Sequence, residues 1–390
     1  MKTRDEKIKE ILERGVENII DANHFGEILK SGRKLRVKFG IDPTSPDLHL
    51  GHMVPLRKLL QFQNAGHKAV LIVGDFTARI GDPSGRSEER KMLSEKEVKN
   101  NMKTYFAQAG KILNIDKTEV RYNSEWFGAR DSLAVLFELA RAGSMQQILR
   151  RADFKTRIDA GRDVTVLEML YPLMQGYDSV VVRADAELGG SDQRFNLLMG
   201  RKVQRHFGVP EQDILIMPLL EGTDGARKMS KSYENYIAFN EKPNSMFAKV
   251  MSVPDALVQK YFLLLTGLSG EEIKRIEKLP ILERKKRLAF EITSLLHSKA
   301  TAEKARENFE KAFSEKETPA NLKTFYARTG EEWADFLARA KLAKSKSDAK
   351  RLIAGGGVDL NGRRVLRAGG AVENGVVKIG KYKFIKVEVK

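Results

Sequence analysis

The sequence contains no cysteine among its 390 residues. Disulfide bonds, zinc sites built on thiolates and a thiol nucleophile are therefore excluded, and a reducing compartment is expected. No apolar run reaches the roughly 18 residues that a membrane span needs, so no span is predicted. The first residues, MKTRDEKIKEILERG, are charged and amphipathic, unlike a secretory signal. We therefore expect a cytoplasmic protein.

Acidic residues are fewer than basic ones: the sequence has 52 Asp and Glu against 69 Lys and Arg, which gives a net charge of +17. The imbalance is strongest over 333–390, where 14 Lys and Arg accompany 5 Asp and Glu. A basic block of this kind favours nucleic acid as a partner. Apolar residues make up 42% of the chain, and its length suits two or three domains.

Strand patterns alternate with helix patterns over the first 240 residues. LRVKFGI (35–41) alternates apolar and polar residues, which predicts a strand with Lys38 on a polar face. Three continuous apolar runs predict buried parallel strands, namely KAVLIVGD (68–75), SVVVRAD (179–185) and DILIMP (213–218). Helical periods occur from Ile8 to Ile19 and over about 51–64, 132–142 and 194–207. The fold class is therefore α/β, with a doubly wound, Rossmann-like parallel sheet.

After Asn240 the strand patterns stop, and every segment to about residue 313 is helical by period. SEKETPANLK (314–323) has the composition of a linker. The tail then predicts two short helices followed by short strands with turn signals. We expect an all-helical domain and then a small α+β domain.

DLHLGH (47–52) sets two histidines three residues apart, where a strand, a turn and a helix start follow one another. Free N–H groups and the helix dipole favour an anion there, and Gly51 allows a close approach to the backbone. A capping or core role for His49 and His52 is equally open. A metal pair lacks an evident third ligand nearby, so no metal site is predicted.

KMSKS (228–232) lies in a loop rich in Gly and small polar residues, so its two lysines suit a clamp for phosphates or a solvated loop. Together with HLGH (49–52), it resembles the paired HIGH and KMSKS motifs of the class I aminoacyl-tRNA synthetases. HLGH is the HIGH motif with Leu50 in place of isoleucine.

Three further segments carry polar residues at sites where ligands bind in open α/β sheets. Tyr171, Gln175 and Asp178 share one helix face, which is either exposed or lines a site. ELGGSDQ (187–193) joins a strand to a helix, and GDPSGR (81–86) is a turn that follows a strand.

These five segments, in this order, resemble the tyrosyl-tRNA synthetase family from about Lys38 to Ser232. The Tyr171, Gln175 and Asp178 set separates that family from its tryptophan-specific relative. The tail resembles the small RNA-binding domain that ends many bacterial members.

The resemblance implies that ATP activates tyrosine to tyrosyl-adenylate and that a tRNA then accepts the tyrosyl group. It assigns catalysis to His49, His52, Thr44, Lys228, Lys231 and Ser232. ATP would contact Asp42, Gly51, His49, His52, Gly190, Asp192 and Lys231, with Mg²⁺ bound to its phosphates. Tyrosine would contact Thr77, Asp82, Tyr171, Gln175, Asp178 and Gln193.

Lys38 departs from the better-known branch of the family, where a tyrosine at this place bonds to the substrate phenol. Three roles are open for Lys38: it donates to the phenol, pairs with Asp178 or points to solvent. We predict that it reaches the amino-acid pocket.

The resemblance also implies the domain order. The catalytic domain is expected at 1–225, with an interface insertion at about 120–160 that makes a homodimer. The KMSKS loop follows at 226–240, an anticodon-arm domain at 241–330 and an RNA-binding domain at 331–390. The expected tRNA contacts are Arg86, Arg90, Lys344, Lys346, Lys350, Arg351 and Arg363.

Three rival functions remain at this point. A nucleotidyltransferase of the same superfamily would not need the basic tail, and a pure RNA-binding protein would not need intact HLGH, KMSKS and Asp178. A tryptophan-specific synthetase is the third. Pyrophosphate exchange with different amino acids separates all of them.

Overall fold

A computed structural model describes residues 3–84, 92–314, 322–380 and 383–390. The chain forms two compact units, Met1–Glu303 and Lys304–Lys390. None of the helices in the described ranges is both long enough and apolar enough to span a membrane.

The first unit is built on a six-stranded sheet in the order β1-β6-β5-β2-β3-β4. Its strands are β1 (Asn18–Ile20), β2 (Arg36–Ile41), β3 (Lys68–Val73), β4 (Glu119–Tyr122), β5 (Ala186–Gly190) and β6 (Asp213–Met217). β1 is antiparallel to β6, and all other neighbours are parallel. The α/β class with a doubly wound parallel sheet is confirmed. The carboxyl ends of β2, β3, β5 and β6 therefore open at one edge, where ligands bind in such sheets.

Helices cover both faces of this sheet and continue to the end of the unit. Up to residue 160 they are α1 (Arg4–Glu13), α2 (Ala22–Ser31), α3 (Leu50–Asn64), α4 (Thr77–Ile80), α5 (Glu95–Met102), α6 (Tyr105–Ala109), α7 (Ser124–Phe127), α8 (Ser132–Ala142), α9 (Met145–Leu149) and α10 (Ala152–Asp159). The others are α11 (Val166–Val181), α12 (Arg194–His206), α13 (Pro243–Met251), α14 (Val258–Leu265), α15 (Gly270–Ile276), α16 (Ile281–Leu296) and α17 (Lys299–Ser314), which ends in the second unit.

Three details of the predicted elements are wrong. SVVVRAD is not a strand: α11 continues to Val181, and the strand follows at β5. A short valine run fits a buried helix as well as a strand, and here Val180 and Val181 pack on the core beside the sheet. The first helix ends at Glu13, because the segment with Ile19 pairs with β6 as β1.

The third wrong detail is the polar face of β2. Lys38 and Phe39 are both buried, and Gly40 is the exposed position. Because both faces of a parallel sheet are covered by helices, alternation along β2 does not imply a face in water.

The second unit holds a five-stranded sheet in the order β7-β11-β10-β8-β9. The strands are β7 (Thr324–Ala327), β8 (Val358–Leu360), β9 (Arg363–Arg364), β10 (Gly375–Ile379) and β11 (Lys383–Val389). α18 (Trp333–Arg339) and α19 (Lys346–Ala354) pack against each other, and Trp333, Phe336 and Ile353 enter a core shared with the sheet. The predicted α+β tail is confirmed, with β7 as an additional strand. Most of the predicted linker lies outside the described residues.

Candidate active site

A crevice of about 590 Å³ lies at the carboxyl ends of β2, β3, β5 and β6. The elements that follow these strands supply most of its walls, and the loop after β6 closes it from one side. It brings together every predicted catalytic, ATP-binding and tyrosine-binding residue except Lys38. Those residues are Asp42, Thr44, His49, Gly51, His52, Thr77, Asp82, Tyr171, Gln175, Asp178, Gly190, Asp192, Gln193, Lys228, Lys231 and Ser232.

The two histidines both cap helix α3 and face the crevice. Nδ1 of His49 accepts from the N–H of Gly51 at 3.2 Å, and Nδ1 of His52 accepts from the N–H of His49 at 3.2 Å. Their ring centroids are 4.0 Å apart. An Nδ1 that accepts carries no proton, so each neutral ring carries its proton on Nε2. The capping and anion-binding interpretations are therefore compatible.

Burial keeps this pair uncharged. It lowers the pKa of His52 to about 4, with a further contribution from the Lys231 charge. Burial, followed by the His52 and Lys231 charges, also lowers the pKa of His49 well below its ordinary value. Gly51 is needed here, because a Cβ at this position would lie 2.9 Å from Cε1 of the His49 ring.

The KMSKS segment is held against the HLGH segment. The backbone N–H of Leu50 donates to the carbonyl of Ile237, and the N–H of Phe239 donates to the carbonyl of Leu48. Met229 is buried, and its N–H donates to the carbonyl of Leu220 at 2.7 Å. The loop is therefore attached to the chain at the start of α3, and both segments line the crevice.

The two lysines of this loop have different partners. Lys231 donates to the hydroxyl of Ser45 and to the carbonyl of Asp47, and burial lowers its pKa to about 8. Nζ of Lys228 forms an ion pair with Oδ2 of Asp192 at 2.6 Å. The loop thus brings one cation to each of the two turns that follow β2 and β5.

Asp42 organises the turn that follows β2. Its Oδ1 accepts from the Thr77 hydroxyl and its Oδ2 from the Tyr171 hydroxyl, both at 2.8 Å. Nδ2 of Asn123 donates to Oγ1 of Thr77 at 2.9 Å. This packing requires Gly74, since a Cβ there would lie 2.0 Å from Oδ1 of Asp42. The Tyr171 hydroxyl uses its hydrogen in the bond to Asp42, so its oxygen can still accept a hydrogen bond on the crevice side.

A second cluster of acceptors converges on the amide of Asn196. Nδ2 of Asn196 lies 3.3 Å from Asp82 Oδ1, 3.0 Å from Gln175 Oε1 and 3.1 Å from Gln193 Oε1. Nε2 of Gln193 donates to Oδ2 of Asp82 at 2.5 Å. An amide nitrogen has only two hydrogens, so these oxygens retain unused capacity to bind a cation.

Asp178 is a buried residue in the lining of the crevice, and its Oδ1 accepts from Nε1 of Trp126 at 3.0 Å. Burial raises the pKa of Asp178 to about 7 against the lowering effects of Lys38 and of the Trp126 bond, while Glu187 and Asp42 add to the rise. Asp178 is therefore a carboxyl group that titrates near neutral pH.

Lys38 does not lie where it was predicted. It is fully buried, it does not line the crevice, and its Nζ pairs with Oε1 of Glu187 at 2.9 Å. None of the three roles considered from the sequence is the one observed. The actual partner, Glu187, lies on β5 (Ala186–Gly190), whereas the sequence predicted the strand at 179–185, so Glu187 was not expected beside Lys38.

Trp126, Glu187 and Asn196 are site residues that the sequence did not single out. Glu187 is an acid within a buried strand, AELGG, which is a signal in itself because unpaired acids are rare there. Asn196 is a fully buried amide three residues after Gln193. Trp126 follows β4, a strand that was also missed.

The predicted tRNA contacts of the tail lie on the second unit. Lys344, Lys346, Lys350, Arg351 and Arg363 are all exposed. Lys346 pairs with Asp335 at 2.7 Å, and Arg351 lies 3.6 Å from Asp348. Arg86 and Arg90 lie outside the described residues.

Comparison with known proteins gives matches over both units. The family model described as tRNA synthetases class I (W and Y) matches residues 30–314, and that of the S4 domain matches residues 334–377. A protein of Thermotoga maritima named tyrosine–tRNA ligase is 46% identical over 394 residues, covering 99% of this chain and 98% of that protein. One of Aquifex aeolicus with the same name is 46% identical over 390 residues, covering 99% of each.

Solved structures agree at the level of the fold. A C-terminally truncated mitochondrial tyrosyl-tRNA synthetase of Aspergillus nidulans has a TM-score of 0.69 at 23% identity, covering 79% of this chain and 94% of that one. The enzyme of Archaeoglobus fulgidus complexed with L-tyrosine has a TM-score of 0.63 at 21% identity, covering 78% of this chain and 100% of that one.

Proposed function

Because the chain belongs to the tyrosine–tRNA ligases within the class I tRNA synthetases, we propose that its crevice is where ATP activates tyrosine. The enzyme attaches tyrosine to the 3′ end of tRNA(Tyr) for protein synthesis and uses ATP as a substrate. One observation carries the assignment of the site: the histidine pair, the KMSKS lysines and buried Asp178 line a single crevice.

Activation forms one bond and breaks another. A carboxylate oxygen of tyrosine attacks the α-phosphorus of ATP, and the bond from that phosphorus to the pyrophosphate oxygen breaks. Negative charge accumulates on the phosphoryl oxygens and on the departing pyrophosphate. The work of the protein is therefore to place the reactants and to stabilise this charge.

Two opposed walls of the crevice supply that stabilisation. On one wall the neutral rings of His49 and His52 present Nε2–H donors, because each Nδ1 is occupied as an acceptor. Thr44 lies on the same side. On the other, Lys228, Lys231 and Ser232 would neutralise pyrophosphate. Gly51, Gly190 and Asp192 would contact the nucleotide, and Asp42 borders it through the turn after β2.

Tyrosine would lie across the acceptor cluster with its phenol toward Asp178. The unused oxygen capacity of Asp82, Gln175, Gln193 and Tyr171 suits its α-ammonium group, with Thr77 holding Asp42 in place. Asp178 would accept from the phenol hydroxyl. Phenylalanine would leave this buried acceptor without that partner, and sites of this kind discriminate by about 10⁴–10⁵.

In the second step a ribose hydroxyl at the 3′ end of the tRNA attacks the tyrosyl carbonyl carbon, and the bond to AMP breaks. No nucleophile of the enzyme is required. We propose that Mg²⁺ enters with ATP and is held by its phosphates. The described residues contain no cluster of three metal-ligating side chains that would hold the ion by themselves.

Exchange of labelled pyrophosphate into ATP tests this site. Wild-type enzyme should exchange with tyrosine and not measurably with tryptophan, whereas Asp178→Ala should lose the preference for tyrosine over phenylalanine. Lys58→Gln, which changes a buried lysine outside the crevice, serves as the matched control. Exchange with tryptophan, or undiminished preference for tyrosine in Asp178→Ala, would contradict the assignment.

We further propose that the domains follow the order 1–225, 226–240, 241–330 and 331–390, with the last two contacting tRNA. The S4 match and the exposed basic side chains of the tail support the last of these. Arg86 and Arg90 remain predicted tRNA contacts. We place the enzyme in the cytoplasm, where its tRNA is charged.

A homodimer is the assembly that we propose. The insertion between β4 and α11 carries large apolar side chains that are well exposed, among them Leu133 (61%), Phe137 (62%) and Met145 (66%). Exposed apolar side chains of this size are typical of interfaces with other proteins, which supports the proposal. The occupant that we propose is a second copy of the chain.

A further inference from the structure

Lys38 occupies a closed site beneath helix α11. Its Nζ donates to the carbonyl of Gln175 and to Oγ of Ser179, both at 2.8 Å, and pairs with Oε1 of Glu187 at 2.9 Å. An ammonium group has three N–H bonds, and three acceptors surround this one. Lys38 is therefore fully engaged with the protein and has no hydrogen left for a substrate.

Glu187 completes the network from β5 and also borders the crevice. Its Oε1 accepts from Nε2 of Gln175 at 3.1 Å as well as from Lys38, and its Oε2 accepts from the Ser179 hydroxyl at 3.1 Å and from Gln212. Both oxygens of this nearly inaccessible carboxylate are thus satisfied. Removal of either charge would leave its partner unpaired in a low-dielectric setting, which is strongly unfavourable.

The ion pair contacts α11 on both sides of Asp178. Gln175 lies three residues before Asp178 and Ser179 immediately follows it, and both bond to the ion pair. Nζ of Lys38 also donates to the backbone carbonyl of Gln175, on the side of the helix that faces the sheet. The helical turn that presents Gln175 and Asp178 to the crevice is therefore held in place by Lys38 and Glu187 of the sheet.

The same lysine is the cation that acts on Asp178. The other groups that face this carboxyl are Glu187 on β5, Asp42 after β2, Tyr171 two turns earlier on the same face of α11 and the Trp126 N–H donor. Glu187 and Asp42 oppose ionisation, whereas Lys38 and Trp126 favour it. The charge of Lys38 thus offsets the carboxylates that crowd the amino-acid end of the crevice.

We propose that the Lys38–Glu187 ion pair is a positioning and specificity element, which holds the turn of α11 that carries Asp178 so that this carboxyl meets the phenol of tyrosine. This inference rests on the proposed site, in which Asp178 meets the phenol. Lys38 acts through Asp178 and Gln175 rather than by touching the substrate.

A charge-matched set of three variants tests the proposal. Lys38→Gln leaves Glu187 uncompensated beside Asp178, Glu187→Gln leaves Lys38 free to act on Asp178 alone, and the double variant is neutral with two amides that can bond to each other. The readouts are KM for tyrosine, KM for ATP, the preference for tyrosine over phenylalanine, and the pH midpoint of kcat/KM for tyrosine.

In Lys38→Gln, KM for tyrosine should rise, by up to about tenfold for each unit by which the pKa of Asp178 moves above the pH of the assay. KM for ATP should stay within about twofold, a margin within the ordinary context-dependence of side-chain effects. The pH midpoint should rise, and the preference for tyrosine should fall. In Glu187→Gln the pH midpoint should move the other way. The double variant should recover most of the tyrosine KM and return the midpoint toward that of the wild type.

Lys58→Gln is the control for loss of a buried lysine. Lys58 is also buried and donates to the carbonyls of Ile11 and Arg14 at 2.8 and 2.6 Å, away from the crevice. It should lower the melting temperature and leave the preference for tyrosine unchanged. If Lys38→Gln does not fold, the other two variants still test the proposal. The pH midpoint should fall in Glu187→Gln and return toward that of the wild type in the double variant.

Two results would overturn the inference. The pH midpoint could stay fixed, or move in the same direction, in Lys38→Gln and Glu187→Gln. Alternatively, the double variant could be no better than Lys38→Gln. Absence of tyrosine-dependent exchange in the wild type would instead refute the proposed site, so the two failures are distinguishable.

Discussion

Lowering the pH from 8 to 6 should weaken the use of tyrosine through the protonation of Asp178. Burial raises the pKa of this carboxyl to about 7. In the proposed site the ionised form would accept a charge-assisted hydrogen bond from the phenol, which is roughly twice as strong as a neutral one. Protonation on the acid side of the midpoint therefore removes the stronger acceptor.

The size of the effect follows from the position of the midpoint. With a pKa of about 7, roughly nine-tenths of the enzyme is ionised at pH 8 and roughly one-tenth at pH 6. The value of kcat/KM for tyrosine should therefore fall by up to about ninefold, because one residue titrates. Stability should move in the opposite sense, since the folded state holds this proton over a range where the unfolded state has released it.

The sign for stability can be stated for a defined window. Between the ordinary pKa of 3.8 and about 7, the folded protein binds more protons than the unfolded chain, so stability falls as the pH rises. Asp178→Asn removes this penalty. Its free energy of unfolding, relative to wild type, should be higher at pH 8 than at pH 5 by on the order of 2 kcal/mol.

The assay is pyrophosphate exchange at a series of pH values, with urea unfolding of both proteins at pH 5 and 8. Asp178→Asn should give a flat and lower profile for tyrosine. Phenylalanine, which has no phenol, should give a flat profile with the wild-type enzyme. A wild-type tyrosine profile with the same slope as that of Asp178→Asn would refute the reasoning.

Three further predictions concern the other parts of the molecule. His49→Ala and His52→Ala should each lower the rate of adenylate formation by about 10²-fold or more in stopped-flow measurements, while KM for tyrosine stays within a few-fold. A rise in KM for tyrosine as large as the fall in rate would contradict their role as hydrogen-bond donors to the phosphate. Deletion of 334–390 should reduce tRNA charging and its salt dependence while largely sparing pyrophosphate exchange, and parallel loss of both activities would contradict separate modules. Phe137→Asp should convert the proposed dimer to a monomer in sedimentation at micromolar concentration, whereas an unchanged sedimentation coefficient would exclude this surface as the interface.

The parts of the fold that could be predicted are those with a long and consistent pattern. β3 is a continuous apolar run, and α3, α8 and α12 have helical periods that the structure confirms. Short valine-rich segments gave no such guidance, and the end of α11 was taken for a strand. That single error hid β5 and, with it, Glu187.

The site was predictable where chemistry lies in contiguous motifs. HLGH and KMSKS identify both walls of the crevice because each motif is a local arrangement of backbone and side chains. The partners of Lys38 and Asn196 could not be predicted, because they depend on which strands become neighbours. β2 and β5 are about 150 residues apart in the chain, and their pairing brings Lys38 opposite Glu187.

In the unliganded enzyme, Lys228 forms an ion pair with Asp192 and therefore competes with ATP for this carboxylate. If ATP binds Asp192, as proposed, and takes the oxygen that Lys228 occupies, it displaces the lysine. The apparent affinity for ATP then falls by the fraction of time that the pair is closed. Displacement has a second effect, because it frees the ammonium at the moment when triphosphate arrives nearby. Binding of the nucleotide would thus release Lys228, the lysine that later neutralises the pyrophosphate. Nucleotide binding would then always precede the release of this lysine, without a separate signal.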